Sequence, residues 1–406
     1  MALFQLAALK KLSLQHNYIS VLSDSHVIEC GKKLGTVELA GNPLAFPPVS
    51  IAQRGWSTVK KWVPANPNYV TYRLYYKEAA GAIHYTDFNI STVRDTMVKT
   101  KDEDRDMTYY KCVDHEEVQK MSVINRHKMD KSSKAIQKDP GWTSAPNATG
   151  KHLYVLDHLY ISIFDGHCGV WVAQALTTNL YKKLAEAKVF DSSEKIEYEP
   201  VIRKVFMDLD KVICEKLLAE KWNDGSTCVT VTFKSSGEMI AAHVGDSRAS
   251  AKIGKKDVEL TKDHDPGQSK EEKARVEARG GKVEFVKGCW RINANLSVSR
   301  AFGDTNMKTG TTPIVDADPD VLVQPINPEM DWLIVASDGL WHLMDNPDVI
   351  KMAAKYNTAE EAALALMSEI DGNTRSQLKG HDNTTITAVH MVHGVVPAEF
   401  REKSSL

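Results

Sequence analysis

Short apolar runs that stop at an acidic residue recur along the chain. Asp165 follows "LYISIF", Asp246 follows "MIAAHVG" and Asp338 follows "WLIVAS". Apolar runs of about 4–8 residues next to glycine and polar residues are typical of buried β-strands. Asp382 shows the reverse order, because it directly precedes the alternating stretch "NTTITAV". The pattern therefore predicts four core strands, each with a carboxylate at one end.

Two other segments carry apolar residues at helical spacing. After Gly169, apolar residues recur at every fourth position: Val172, Leu176, Leu180 and Leu184. Positions four apart share one face of an α-helix, so this segment predicts a helix that packs on the strands. A second helix is predicted over residues 201–218, on the spacing of Val201, Val205, Leu209, Val212 and Ile213.

The second helix contains "VFMDLDKV", which mimics the Asp-X-Asp signature of haloacid-dehalogenase-type phosphatases. That signature follows a strand, whereas helical spacing leaves Asp208 and Asp210 facing away from the apolar stripe. We therefore interpret the match as a coincidence. The sequence also contains no Gly-rich phosphate loop or dinucleotide fingerprint, which argues against a kinase, a GTPase or an NAD-dependent enzyme.

The N-terminal part has a different pattern. Residues 68–90 alternate apolar and polar side chains around a Gly-containing turn, which predicts a β-hairpin. The mixed-charge segment "VKTKDEDRDMTYYK" (98–111) lacks periodicity and is predicted to be a loop or linker. Residues 137–152 are rich in turn-forming residues and are predicted to be exposed.

Charge and cysteine content narrow the class of protein. The formal net charge is only −2, so no basic excess indicates binding to nucleic acid or to an anionic membrane. The six cysteines include no CxxC pair, which favours reduced thiols in a cytoplasmic or nuclear compartment. No run approaches the roughly 18 apolar residues of a membrane span, and residues 1–11 are too short for a secretory signal.

Several carboxylates at strand ends indicate a site for hard divalent cations. Magnesium and manganese prefer oxygen ligands, whereas zinc prefers closely spaced histidine and cysteine. Clustered aspartates without cations would repel each other, and their pKa values would rise. Two ions about 3.5–4 Å apart activate water and hold a phosphoryl oxygen in line with it. The residues alone therefore predict phosphoester hydrolysis.

Seven segments occur in a characteristic order: "FDGHCGVWVA" (164–173), "DGSTCVTVTF" (224–233), "AAHVGDSRA" (241–249), "LTKDHDPGQSKEEKARVEARGGKV" (260–283), "RINANLSVSRAFGD" (291–304), "VASDGLW" (335–341) and "HDNTTITAV" (381–389). This series resembles the motifs of the metal-dependent PP2C-type (PPM family) protein serine/threonine phosphatases. The resemblance covers about residues 123–392. Seven motifs in order are much more specific than any one of them.

The resemblance implies an α+β fold, with a central antiparallel β-sandwich flanked by α-helices in four αββα layers. It divides the chain into an N-terminal extension, residues 1–122, and a PP2C-like phosphatase domain, residues 123–406. The extension is expected to be partly β, and its docking on the phosphatase domain is left open. A flap at about residues 265–287 would shape access for the protein substrate.

The resemblance also implies a site for two Mg²⁺ or Mn²⁺ ions. Asp165 would bridge both ions, and the carbonyl of Gly166 would ligate one of them. Asp338 and Asp382 would complete the shell of the other ion. Asp246 would help Asp338 to hold a weaker third ion.

His167 stands at the position of the family histidine that protonates the leaving alkoxide. General acid catalysis suits this chemistry, because a serine or threonine alkoxide is a poor leaving group. The alternative role is a hydrogen bond that orients a neighbouring ligand. Two smaller departures from the family pattern are Cys168, where glycine is usual, and His342, where an acid is common.

The first family motif is matched poorly, by "NRHKMDKSS". Arg126 has the spacing of the arginine that grips the phosphate, with an ordinary surface arginine as the alternative. Asp130 would replace the usual glutamate ligand with a shorter side chain. Lys131 stands where a second acid is usual, and its charge opposes cation binding. Either the second ion is weakly held, or the ligand comes from elsewhere, for example from residues 114–119.

The predicted function is hydrolysis of phosphoserine and phosphothreonine by direct attack of a hydroxide that bridges the metal ions, without a phosphoenzyme. The alternative is a weakened or inactive pseudophosphatase that acts as a binding or scaffold protein, which the altered first motif and the long N-terminal extension favour. The expected partner is a phosphorylated protein, with no nucleic acid and no membrane span. The sequence does not indicate the oligomeric state.

Overall fold

The computed structural model describes residues 11–13, 36–38, 70–77, 82–95, 104–112, 144–146, 152–193, 196–286, 288–310, 312–377 and 382–395. Its strands are β1 (Lys11–Ser13), β2 (Thr36–Glu38), β3 (Val70–Lys77), β4 (Ile83–Asp95), β5 (Arg105–Cys112), β6 (Ser144–Pro146), β7 (His152–Phe164), β8 (Gly166–His167), β9 (Gly225–Ser226), β10 (Cys228–Lys234), β11 (Glu238–Val244), β12 (Arg248–Ile253), β13 (Lys256–Glu259), β14 (Val283–Val286), β15 (Cys289–Ile292), β16 (Phe302–Gly303), β17 (Asp320–Pro325), β18 (Met330–Ala336) and β19 (Thr384–Val395). Its helices are α1 (Trp171–Glu186), α2 (Tyr198–Glu220), α3 (Lys270–Ala278), α4 (Asp338–Trp341), α5 (Asn346–Ala353) and α6 (Ala359–Gln377).

The chain forms two compact units. The first comprises residues 1–72, 114–155 and 404–406, and the second comprises residues 73–113 and 156–403. Among the described residues of the first unit, β1 and β2 pair in parallel, and β6 pairs with the first residues of β7. The second unit contains all the predicted strand-end acids.

The large sheet of the second unit has two antiparallel halves. One half has the strand order β13-β12-β18-β19-β4, and the other has the order β5-β7-β10-β11-β17. The halves face each other, because β10 contacts β12 and the ring centroids of Phe88 on β4 and Phe233 on β10 are 5.0 Å apart. The sheet is therefore curled into a sandwich.

Alternating side chains explain the layers around this sandwich. On β18, Leu333 and Val335 are buried on one face, while Trp332 and Ile334 on the other face pack with residues of α4, α5 and α6. On the other half, residues of β7, β10 and β11 pack in the same way against α1 and α2. Because successive strand side chains point to opposite faces, each half has an apolar side toward its partner and another toward its helices. The predicted α+β, four-layer αββα architecture is confirmed.

The predicted local elements agree with the structure in most places. The four apolar residues of α1 spaced by four are all buried, and strands adjoin all four strand-end acids. The predicted hairpin corresponds to the neighbouring strands β3 and β4. The predicted loop over residues 98–111 is wrong for its second half, because β5 pairs with β7 there.

The predicted orientation of α2 is wrong for one of its two acids. Asp208 is exposed, but Asp210 is buried, where it accepts a hydrogen bond from the Gly303 amide at 2.8 Å and pairs with Lys308 at 2.6 Å. The division at residues 122 and 123 stays a prediction. The strands β4 and β5, which precede that division, pair with β19 and β7, which follow it.

Candidate metal centre

Four of the acids predicted from the sequence lie where strands begin or end. Asp165 directly follows β7, Asp338 begins α4 after β18, and Asp246 lies between β11 and β12. Asp382 lies two residues before β19. Since β18 pairs with both β12 and β19, Asp246, Asp338 and Asp382 come from adjacent strand ends at one edge of the sheet.

The electrostatics of Asp165 agree with the convergence that the strand pairings produce. Burial raises the pKa of its carboxyl well above the ordinary value, and repulsion from Asp104, Asp338, Asp246 and Asp382 raises this pKa further. Coulomb repulsion weakens with distance, so these four acids influence Asp165 because they lie near it. Asp104, Asp165, Asp246, Asp338 and Asp382 are called the acidic cluster below.

Asp246 experiences the same kind of repulsion. Burial raises the pKa of its carboxyl well above the ordinary value, followed by repulsion from Asp338 and from Asp263. Burying several like charges together costs free energy, and a bound cation removes that cost. The cluster also offers only carboxylate oxygens, which are the donors that Mg²⁺ and Mn²⁺ prefer. The residues present therefore fit hard divalent cations.

Asp104 is a member of the cluster that the sequence reasoning missed. It directly precedes β5, and because Arg105 on β5 is opposite Phe164 on β7, Asp104 comes next to Asp165. Its Oδ2 accepts hydrogen bonds from Ser337 Oγ at 2.9 Å and from Thr385 Oγ1 at 2.8 Å. Asp104 is thus fixed to the opposite half of the sandwich. The sequence does contain a signal for this strand: Met107 and Tyr109 alternate with polar residues after the acidic run "DED".

Backbone contacts hold Asp165 and Gly166 in place. The Asp165 amide donates to Thr227 Oγ1 at 3.2 Å, and the Thr227 amide donates to the Asp165 carbonyl at 2.9 Å. Gly166 is buried and lies opposite Ser226 in the short β8–β9 ladder. The strand end that carries the acid is therefore anchored on both sides.

His167 pairs with an acid that the sequence reasoning did not single out. Its Nε2 lies 2.9 and 2.8 Å from Oδ1 and Oδ2 of Asp304, a buried residue. Gly225 lies beside this pair, and a Cβ there would collide with both side chains. Cys168 has a φ of 60°, the left-handed region that favours the glycine usual at this position.

Two site residues predicted from the poorly matched first motif, Arg126 and Asp130, lie outside the described residues, as do Lys131 and the alternative segment 114–119. The other predicted site residues converge at the cluster or next to it. The ligand and catalytic roles of all of them stay predictions.

The predicted flap contains α3 and β14, and β14 pairs with β15, which begins just after the flap. Glu272 on α3 is buried and accepts hydrogen bonds from Arg300 Nη2 at 2.7 Å, from Arg275 Nη2 at 2.9 Å and from Ser299 Oγ. Arg275 also pairs with Asp316 at 3.2 Å. Glu272, Arg275, Arg300 and Asp316 are called the flap ion network below.

Burial alone would raise the pKa of Glu272. Hydrogen bonds from Arg300 and Ser299, together with the charges of Arg300 and Arg275, outweigh burial and lower this pKa to about 2. The flap helix is thus joined to the main domain by a carboxylate whose charge is compensated within the protein.

Comparison with known proteins agrees with this fold. The family model "Protein phosphatase 2C" matches residues 143–373. Probable protein phosphatase 2C 45 from Oryza sativa is 34% identical over 232 residues, which cover 57% of this chain and 76% of that protein. The chain therefore belongs to the PP2C family of protein phosphatases. Probable protein phosphatase 2C 11 from Arabidopsis thaliana is 36% identical over 210 residues, but these cover 52% of this chain and only about half, 53%, of that relative.

Solved structures share the fold at low sequence identity. A serine-threonine phosphatase 2C from Toxoplasma gondii has a TM-score of 0.56 at 19% identity, covering 75% of this chain and 95% of that one. A sex determining protein from Caenorhabditis elegans has a TM-score of 0.55 at 20% identity, covering 79% and 68%. Within the part of this chain that the structure describes, none of the helices combines the length and apolar character needed to cross a membrane.

Proposed function

We propose that this chain is a metal-dependent protein serine/threonine phosphatase that hydrolyses phosphoserine and phosphothreonine directly, without a phosphoenzyme. The observation that carries this proposal is the convergence on Asp165 of acids far apart in the sequence. In the proposed site, two Mg²⁺ or Mn²⁺ ions are held by Asp165, the Gly166 carbonyl, Asp338 and Asp382. When bound, such ions activate water and neutralise the phosphoryl oxygens.

The remaining residues of the chain act around these ligands in the proposal. Asp104 supports Asp165 from the neighbouring strand, and Asp246 helps to hold a weaker third ion. His167 is the general acid that protonates the leaving oxygen of the substrate, and the contact of its Nε2 with Asp304 orients the imidazole. The phosphate-gripping role of Arg126 and the ligand role of Asp130 belong to the proposal as sequence predictions.

The proposal also includes the class of substrate and the cellular compartment of the protein. The substrate is a phosphorylated protein, which membership of a protein phosphatase family supports. We place the protein in the cytoplasm or nucleus, with support from the unbridged thiols of Cys214, Cys228 and Cys289.

A phosphothreonine peptide assay with and without Mn²⁺ tests the proposed function. Wild type should turn over only with Mn²⁺, and Asp165→Asn and Asp338→Asn should each abolish that turnover. Asp208→Asn is the matched control, since Asp208 is an exposed acid on α2 that pairs with Lys204. Turnover that persists in both cluster variants would contradict the proposal. A wild type that neither turns over nor binds Mn²⁺ in calorimetry would instead support the pseudophosphatase alternative.

A further inference from the structure

His342 lies at the outer side of the acidic cluster, one helical turn after Asp338. Its Nδ1 is 3.3 Å from Asp338 Oδ2, and its side chain is 65% exposed. Residues four apart on a helix are neighbours, so the imidazole reaches back over the start of α4. A nitrogen donor is thus adjacent to a cluster of carboxylates.

Asp246 completes a group of three. One donor atom from each of Asp246, Asp338 and His342 lies within 4.8 Å of the other two. Nitrogen and oxygen ligands lie about 2.0–2.2 Å from zinc, so donors on one ion are roughly 3–4 Å apart. His342 Nδ1 and Asp338 Oδ2 are already 3.3 Å apart, and all three donors are close enough for small side-chain movements to place them on one ion.

The donor types determine which ion this group favours. Imidazole suits zinc, copper, iron and nickel, while carboxylates alone suit magnesium, calcium and manganese. We propose that Asp246, Asp338 and His342 form a mixed nitrogen and oxygen site that binds a transition-metal dication, represented by Zn²⁺, in preference to Mg²⁺. This inference rests on the metal centre in the proposed function, because Asp338, and Asp246 as the ligand proposed for the weaker third ion, belong to both.

A second group of two histidines and an acid in the described part of the chain serves as a contrast, because ring nitrogens of both histidines are used in hydrogen bonds within the protein. His243, His264 and Asp320 also have donor atoms within 4.8 Å of each other. However, the Gly245 amide donates to His264 Nδ1 at 3.1 Å, so the proton of that ring is on Nε2, which donates to Asp320 at 3.2 Å. His264 therefore has no lone pair left for an ion, and its ring stacks on the buried His243.

His342 differs from that buried group because it is exposed to solvent. It can therefore exchange its contact with Asp338 for a metal bond without breaking a buried hydrogen bond. An ion bound there would share Asp338 with the magnesium or manganese centre. Turnover would consequently depend on the transition-metal concentration as well as on Mg²⁺.

Calorimetric titration of Zn²⁺ into the full chain in excess Mg²⁺ tests the inference. All proteins carry Cys168→Ser, which removes an exposed thiol that would also bind zinc. His342→Gln should lower the Zn²⁺ affinity by about tenfold or more, since loss of a direct ligand is at least as costly as loss of a supporting contact. The same variant should leave the Mg²⁺ affinity unchanged. His342→Asp, which restores an all-oxygen group, should also bind Zn²⁺ more weakly than wild type.

His390→Gln is the matched control, since His390 stacks on Trp332 and belongs to neither histidine group. Imidazole NMR provides a second readout: Zn²⁺ should shift a ring-nitrogen signal that disappears in His342→Gln. Equal Zn²⁺ affinity in wild type and His342→Gln, or an equal loss of Mg²⁺ affinity, would overturn the inference. Neither measurement needs turnover, so failure of the phosphatase assay with an intact zinc result would count against the proposed function alone.

Discussion

The acidic cluster and the flap ion network hold carboxylates that are shielded from solvent in opposite ways. In the cluster, burial and neighbouring acids raise the pKa of Asp165 and of Asp246. In the network, arginines lower the pKa of the buried Glu272 to about 2. A carboxylate paired with arginines has its compensating charge within the protein, whereas one placed among other acids requires a charge from outside. The difference indicates which acids bind ligands and which hold the structure together.

Removal of divalent cations should give the largest difference between the acidic cluster and the flap ion network. Chelation is expected to reduce phosphatase turnover by about a thousandfold or more, because water is no longer activated at neutral pH. It should also lower the midpoint of thermal unfolding, because ions that bind only the folded state stabilise it. Mn²⁺ should restore both, as measured by peptide hydrolysis and differential scanning fluorimetry.

Asp165→Asn provides the matched comparison for chelation. Without cations, this variant should unfold at a higher temperature than wild type at about pH 8, because one buried like charge is gone. Added Mg²⁺ should change its unfolding midpoint little. If Mg²⁺ stabilised the variant as much as wild type, Asp165 would not be part of a cation site.

Glu272→Gln should have the opposite effect on stability. It keeps the size of the side chain but removes the charge that Arg275 and Arg300 share, and leaves only Asp316 beside Arg275 and Asp320 beside Arg300. Breaking a buried ion pair from one side costs roughly 3–5 kcal/mol in free energy of unfolding, which urea denaturation would measure. Glu277→Gln, an exposed acid on the same helix, should change stability by less than about 0.5 kcal/mol. Equal effects of the two substitutions on stability would mean that the ion pairs of Glu272 do not contribute more than those of an exposed acid.

Sequence reasoning found the parts of the site that local patterns determine. An apolar run that ends at an acid is a local signal, so Asp165, Asp246 and Asp338 could be placed at strand ends. Their order along the chain resembled a known family, and the fold followed from that resemblance. Regular spacing also identified α1, because its apolar face depends only on the period of the helix.

Long-range contacts account for what the sequence did not reveal. Asp104 lies in a mixed-charge segment, and only the pairing of β5 with β7 brings it to Asp165. Asp304 is 137 positions from His167 in the sequence, so no local pattern connects them. Asp210 was predicted to face away from the apolar stripe, but it is buried because Lys308 and the Gly303 amide satisfy its charge.

Asp304 belongs to neither the acidic cluster nor the flap ion network. Asp304→Asn therefore extends the comparison to a third carboxylate. Its contact with His167 orients the imidazole, so the substitution should reduce turnover of a phosphothreonine peptide by about a hundredfold, the lower range for general acid catalysis. An aryl phosphate, whose leaving group needs little protonation, should be affected much less. Equal losses on both substrates would mean that Asp304 supports the structure and not proton transfer.

The effect of acid pH on stability should be the smallest of these effects. It tests the flap ion network through protonation of Glu272 in the unfolded chain. The pKa of Glu272 is about 2 in the folded protein against an ordinary value of 4.5. Because the folded-state value is the lower one, the unfolded chain binds a proton first, and stability is lost as the pH falls from 4.5 toward 2. The difference in unfolding free energy between wild type and Glu272→Gln should therefore shrink from about pH 5 to about pH 3 in urea denaturation. If the difference stayed constant over this range, the ionised carboxylate of Glu272 would not be what secures the flap helix.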